Sequence, residues 1–288
     1  MKSQKSLSVL TVAVALLSTI AAAVGVFSGG GDGPFTITSV RGEEVLIYGE
    51  GIYRHMTADV APQEIAQDVI TLVAGVPMLV IGLLLARRGS LRAKLLMTGT
   101  LGYFMVTYVF YLVMGMYNEL FLVYVVLAGS SFYAFVLAMM SFDLDRLPEC
   151  FGEQAPRRFV GGFLIFNAVA IALLWLGVVV PPLVEGVYPP EVAHYTTLIV
   201  QGLDLSILLP ASFLSGILLI KKKPLGYLLG PVYIVFLAIL MTALVGKVIG
   251  QMLVGVDVGG PVLVIIPVIT LTAIVGAVLM LRSVRSPA

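Results

Sequence analysis

The chain has a single cysteine, Cys150, and only two histidines, His55 and His194. One thiol excludes an intramolecular disulfide and a CxxC redox pair. Two histidines are too few for a histidine-rich diiron site. Charge is also scarce: Asp, Glu, Lys and Arg make up 11% of the 288 residues, against about 25% in a typical soluble domain. The net charge of +1 and the lack of a long basic tract point away from nucleic acid as a partner. No GxxxxGK[ST] or HExxH stretch occurs, so neither a phosphate loop nor a zinc-protease helix is indicated. The composition names no metal and no cofactor.

What is abundant is apolar. Hydrophobic residues make up 59% of the chain, and mean hydropathy is +1.06. They fall in blocks of about 20, long enough to cross a hydrocarbon core of about 30 Å. Spans are expected at 7–27, 65–86, 94–115, 119–141, 159–181, 196–220, 225–250 and 261–281. The fold class is an all-α integral membrane protein, one polytopic domain over 1–288, with the lipid bilayer as its first partner. The first run follows Lys2 and Lys5 and contains Ala21-Ala22-Ala23, as a signal peptide could. It is long for a signal-peptide core and reads as a retained helix.

Orientation follows from Lys and Arg. With the N-terminus in the cytoplasm, the inner segments hold Lys2, Lys5, Arg87, Arg88, Arg92, Lys94, Arg146, Arg157, Arg158, Lys221, Lys222, Lys223, Arg282 and Arg285. The outer ones keep Arg41, Arg54 and Lys247. This asymmetry predicts both termini in the cytoplasm, in a plasma (cytoplasmic) membrane. It also places Cys150 in a reducing compartment as a free thiol. The outer loops collect Glu43, Glu44, Glu50, Asp59, Glu64, Glu119, Glu185, Glu191 and Asp257. Loop 28–63 is the longest. In it Phe35–Thr38 and Val45–Tyr48 flank Arg41-Gly42-Glu43-Glu44, which reads as a small extracytoplasmic hairpin.

The halves 1–141 and 159–281 read as a same-orientation 4+4 repeat. Glu50-Gly51-Ile52-Tyr53 precedes Asp68, Pro77 and the basic turn Arg87-Arg88. Glu185-Gly186-Val187-Tyr188 precedes Asp204, Pro210 and Lys221-Lys222-Lys223. On this reading Asp68 and Asp204 are equivalents about a pseudo-twofold axis along the membrane normal.

Ionisable groups inside spans are costly and face the bundle or water. Counting at 1.5 Å per residue puts Asp204 about 25 Å above Lys221 and Asp68 about 28 Å above Arg87, both toward the outer side. At 100° per residue, His194, Gln201, Asp204, Ser212 and Ser215 share an arc of roughly 80° on span 6. Tyr108 and Tyr111 of span 3 lie at matching depth. Lys247 of span 7 leans into the membrane and is the expected ion partner of Asp204. Asp68, Tyr108, Tyr111, His194, Gln201, Asp204 and Lys247 are therefore expected to form one ligand-binding pocket that opens outward. A plainer alternative is that the acid–base pair only holds helices together and the tyrosines belong to the interfacial belt.

The stretches Arg87-Arg88-Gly89-Ser90-Leu91-Arg92-Ala93-Lys94-Leu95-Leu96 and Tyr117-Asn118-Glu119-Leu120-Phe121-Leu122-Val123-Tyr124 resemble a group of uncharacterised prokaryotic multi-span membrane proteins. That resemblance implies the polytopic fold and brings no activity with it. Three functions remain in order: a small-solute or ion transporter; an outer-face receptor or accessory subunit binding a ligand, lipid or partner protein; and a membrane-embedded enzyme using Asp68, Asp204 and His194 as acid–base groups.

Overall fold

The structure, a computed structural model, describes residues 2–256 and 258–285; Asp257 lies outside the described residues. Eight helices are long and apolar enough to cross a membrane. We label them α1 (Lys2–Phe27), α2 (Ala61–Arg87), α3 (Leu91–Val113), α4 (Phe121–Met140), α5 (Arg157–Glu185), α6 (Ile199–Ile220), α7 (Pro224–Leu253) and α8 (Gly260–Arg282). The spans expected from hydropathy match these in number and order. α1, α2, α5 and α7 run several residues longer because they extend past the apolar run, whereas α4 and α6 start later than expected, at Phe121 and Ile199. α2 begins at Ala61 with Pro62 in its first turn, where the missing N–H and fixed φ of proline suit a helix start. Glu64 thereby belongs to a helix and not to the loop.

Packing is uneven. The most apolar windows of α3 and α7 are 67% buried, while those of the other six are 17–39% buried. α3 and α7 pack on each other and form the centre. α2 and α4 pack on α3, and α1 packs on α2 and α4; α6 and α8 pack on α7 with α5 against α6, and α2 also lies against α7. The exposed leucines, valines and phenylalanines of the outer helices suit lipid, where no water-driven burial is needed.

At one end the chain forms the expected hairpin. β1 (Phe35–Thr38) pairs antiparallel with β2 (Glu44–Ile47), with Phe35 opposite Ile47 and Thr38 opposite Glu44. This hairpin face is tied across the bundle. Arg41 donates to the carbonyls of Ala193 (3.3 Å), Tyr195 (3.1 Å) and Thr196 (3.4 Å). At the opposite, basic face the C-terminal segment returns to the other loops: Arg92 Nε donates to Val284 O at 2.7 Å, and Phe151 bridges Val284.

α2 and α6 share an interruption. Each contains a π segment, Thr71–Gly75 and Asp204–Leu208, closed by N–H bonds from Val76 to Thr71 O and from Leu209 to Asp204 O. Pro77 and Pro210 follow at the same place. The turns after both helices also match. Ser90 N–H reaches Leu85 O at 3.2 Å and Lys223 N–H reaches Leu218 O at 3.0 Å. Between them Gly89 and Lys222 take positive φ, 88° and 55°. In this alignment Asp204 is the counterpart of Thr71, and Gln201 that of Asp68. The expected Asp68–Asp204 equivalence is therefore off by about one turn. It was counted across a loop, and loops drift in length while the register inside a helix does not.

Candidate functional site

α2 presents Glu64, Gln67, Asp68 and Thr71 on one face, and all four are buried. Spacings of three and four residues stack side chains on one side of a helix. This stripe lies against α3, which offers Tyr103, Thr107, Tyr108 and Tyr111 at the same periodicity, all buried. Tyr124 of α4 and Tyr53 from the loop before α2 complete the enclosure; both are buried.

Asp68 is the centre. Tyr53 Oη donates to Asp68 Oδ2, and Tyr111 Oη donates to Asp68 Oδ1 at 3.0 Å and approaches Glu64 O at 3.2 Å. Asp68 is 1% exposed and, among the described residues, makes no ion pair. Burial first, and the Asp68 charge second, push the Tyr53 phenol well above its ordinary value, so Tyr53 stays a donor. Space for the pair comes from α1. A β-carbon at Gly25 would overlap Asp68 Oδ2 and lie 2.9 Å from Tyr53 Oη.

One turn toward the hairpin face, Lys247 Nζ lies 3.2 Å from Glu64 Oε1. Toward the middle of the helices, Gln67 Nε2 donates to Tyr103 Oη (2.7 Å) and Thr107 Oγ1 (3.3 Å), and Tyr103 Oη meets Thr71 Oγ1, one turn past Asp68, at 2.8 Å. Among the described residues, three buried polar atoms of this cluster have no hydrogen-bond partner: Glu64 Oε2, Tyr108 Oη and Tyr124 Oη. An unsatisfied buried group costs about 1–3 kcal/mol, and such groups call for a reason. Beyond Thr71 and Tyr103 the buried side chains are mainly apolar, with Leu79, Leu83, Leu95 and Leu101, and the hydroxyls of the buried Thr98 and Thr100 are spent on the carbonyls of Lys94 and Leu96.

The structure brings together some of the residues expected to converge. Asp68, Tyr108 and Tyr111 converge, and Lys247 joins them through Glu64. The expected Asp204–Lys247 pair is absent. Gly246 and Gly250 of α7 bring that helix onto α2: a β-carbon at Gly250 would lie 2.8 Å from Pro62 O, and one at Gly246 would lie 3.3 Å from Ile70 Cγ1. Lys247, between them, meets Glu64. The signal was present as a G-x-x-x-G spacing, which permits close helix approach. Asp204, half-buried between α5 and α6, instead accepts from Trp175 Nε1 at 2.7 Å. Gln201 is buried but makes none of the cluster's hydrogen bonds. His194 Nε2 pairs with His55 O at 3.1 Å in the hairpin-face loops, and its ring lies against Tyr195. Asp68, Asp204 and His194 share no hydrogen bond, so no acid–base trio is assembled. Ser212 and Ser215 spend their hydroxyls on the carbonyls of Leu164 and Ala211.

The residues that sequence reasoning passed over are Tyr53, Glu64, Gln67, Thr71, Tyr103, Tyr124 and Trp175. The Glu64–Gln67–Asp68–Thr71 spacing could have revealed the α2 stripe, had α2 been started at its proline.

Above the cluster, a cavity of about 540 Å³ opens on the hairpin face, lined by Ser28–Gly31, Gly51, Ile52, Arg54 and Glu119. Arg54 and Glu119 form an ion pair across it. Tyr53, next in sequence to Ile52 and Arg54, stands between this vestibule and Asp68. Asp68 itself does not line the cavity, so the site is covered in this conformation. Chemically the cluster is rich in oxygen and carries two carboxylates against one ammonium. It would accept a proton, a small cation or a solute bearing one. Among the described residues no group of three or more metal-ligating His, Cys, Asp or Glu side chains occurs. No family model, no curated protein and no solved structure matches the chain, and the site rests on its own geometry.

Proposed function

We propose that the protein is a small-solute or ion transporter of the plasma membrane whose binding centre is Asp68, reached from the hairpin side. The hairpin lies outside and both termini in the cytoplasm, on the strength of the Lys and Arg asymmetry. Spans α1–α4 and α5–α8 are two copies of one unit; the matching π segments, prolines and turns support this.

One observation carries the reading. A buried carboxylate that makes no ion pair among the described residues sits in a polar column that runs from Tyr53 at the hairpin face to Thr71 and Tyr103 near the middle of their helices. Transporter sites are built beside interrupted helices. Here the π segment Thr71–Gly75 directly follows the acidic stripe. π segments recur at functional sites, and a proline beside one gives the helix a place to bend. Covered by Tyr53 and closed below by leucines, the site corresponds to an occluded state.

The test uses protein reconstituted in liposomes containing a pH-sensitive dye, challenged with proton, sodium, potassium and ammonium gradients in turn. Wild type should move at least one of these cations, and well-folded Asp68→Asn should not. Equal flux in Asp68→Asn, or no flux in wild type for any of the four, overturns the proposal.

A second reading, an outer-face receptor or accessory subunit, is favoured by the ordered hairpin cap and its 540 Å³ vestibule. It predicts binding at the vestibule without flux and without dependence on Asp68.

A further inference from the structure

At the opposite face, where α5 begins and α6 ends, lies a cavity of about 380 Å³. Its lining includes Arg157, Arg158, Phe159, Ile220 and Lys222. Nothing in the transport reading uses it. Three features give it a chemistry.

The first is charge. Three cations line the cavity and no acidic residue does. The side chains of Arg158 and Lys222 form no ion pair or hydrogen bond among the described residues. Arg157 is only partly engaged, through Glu153 O at 3.2 Å and the ring of Tyr227. The second is the backbone. The amides of Arg158 and Phe159 open a helix of 29 residues without backbone partners, and Pro156 provides no side-chain cap. Free N–H groups at a helix start favour an anion. The third is the wall. Phe159 and Ile220 are 45% and 37% exposed, at the membrane-facing edge of the cavity. Beyond them Gly162 leaves open space, and Phe166 and Phe213 continue an exposed apolar surface along α5 and α6. α5 has the least buried window of the eight spans, at 17%.

The helices are fixed at this point. Gly161 and Gly216 bring their backbones together: a β-carbon at Gly161 would lie 2.7 Å from Gly216 O. The cavity is therefore held open by side chains that diverge from a tight crossing.

We propose that this cavity is a binding site for the phosphate headgroup of an anionic phospholipid. Arg157, Arg158 and Lys222 face the phosphate, and Phe159 and Ile220 flank the start of the acyl chains. A basic pocket between helices at a membrane surface suits such a headgroup. The apolar edge distinguishes a lipid from free phosphate.

Native mass spectrometry of the full-length protein, titrated with phosphatidylglycerol, phosphatidylcholine or inorganic phosphate, tests it. Phosphatidylglycerol should be retained in preference to phosphatidylcholine, and inorganic phosphate should not compete at millimolar concentration. Lys222→Gln should weaken phosphatidylglycerol binding about fivefold, and Arg158→Gln with Lys222→Gln about 25-fold. Arg158→Lys with Lys222→Arg, which keeps both charges, should restore binding and serves as the control for folding. Equal retention of the two lipids, full competition by inorganic phosphate, or unchanged preference in the double Gln variant would each overturn the proposal.

Discussion

Gly25 of α1 lies so close to Asp68 of α2 that a single added methyl group would occupy the place of the carboxylate. The absence of a side chain on one helix thus makes room for a charged one on the next. Gly25→Ala should destabilise the protein by about 1–3 kcal/mol, as overpacking does, and displace Tyr53 from Asp68. Thermal unfolding in detergent measures the first effect. Asp68→Ala in the Gly25→Ala background should recover part of the loss, because it removes the overlapping atoms. An unchanged midpoint in Gly25→Ala would show that α1 can withdraw freely.

The ion pair of Lys247 is with Glu64, and a double-mutant cycle separates the two possible partners. Glu64→Gln with Lys247→Met should show coupling of about 0.6–1.7 kcal/mol, the range for polar contacts between membrane helices. Asp204→Asn with Lys247→Met should be additive, as for sites that share no partner. Coupling in the second cycle and none in the first would restore the arrangement expected from sequence.

Much of the fold was legible in the chain, and the Lys247 error shows where legibility stopped. Eight apolar blocks, the hairpin and the depth of Asp68, Tyr108 and Tyr111 follow from hydropathy and the rise of a helix. Which helix faces which does not. Hydropathy gives the same value to every lipid-facing or protein-facing Leu, so the contact of α7 with α2 was hidden in Gly246 and Gly250. The α2 stripe was missed for another reason. The span was started at its first apolar residue, Ile65, which left Glu64 in solvent. Asp204 went astray because a lone tryptophan, Trp175, supplied a donor from a helix that sequence reasoning had left without chemistry.

Trp175 is the single tryptophan of the chain, so tryptophan emission reports on the surroundings of Asp204 and not on the Asp68 cluster. Asp204→Ala removes the acceptor of the indole N–H and should shift the emission maximum. Asp68→Asn should leave the emission unchanged. A spectrum insensitive to Asp204→Ala would mean that the hydrogen bond does not persist in the membrane.

The Arg54–Glu119 clasp gives the vestibule a pH dependence. Its hydrogen bond to Arg54 holds the Glu119 carboxyl below the usual glutamate range. A depressed value in the folded state means that the clasp contributes above the free glutamate value, about 4.3. It is lost as pH falls through the lower folded value. Both partners are exposed, so global stability should barely respond. A trifluoromethyl probe on Gly29→Cys, in a Cys150→Ser background, should titrate with a midpoint below about 4.3. Arg54→Gln should move that midpoint up, and an unmoved midpoint would remove Arg54 as its cause.

The same Gly29→Cys variant reads out sidedness, since a β-carbon there meets nothing. A membrane-impermeant maleimide should label it in intact cells and should not label Lys222→Cys. The reverse pattern would invert the topology.

Each π segment amounts to one residue more than an α-helix needs over the same turn. An α-helix advances about 100° per residue. Deleting one residue between Thr71 and Gly75 would let the hydrogen bonds relax to the ordinary pattern. It would also turn the part of α2 before the deletion by about a quarter of a revolution against the part after it. Glu64, Gln67 and Asp68 would then leave the tyrosines of α3 and face α1 or the lipid. Where the acid points is thus encoded by a count of residues in the helix below it.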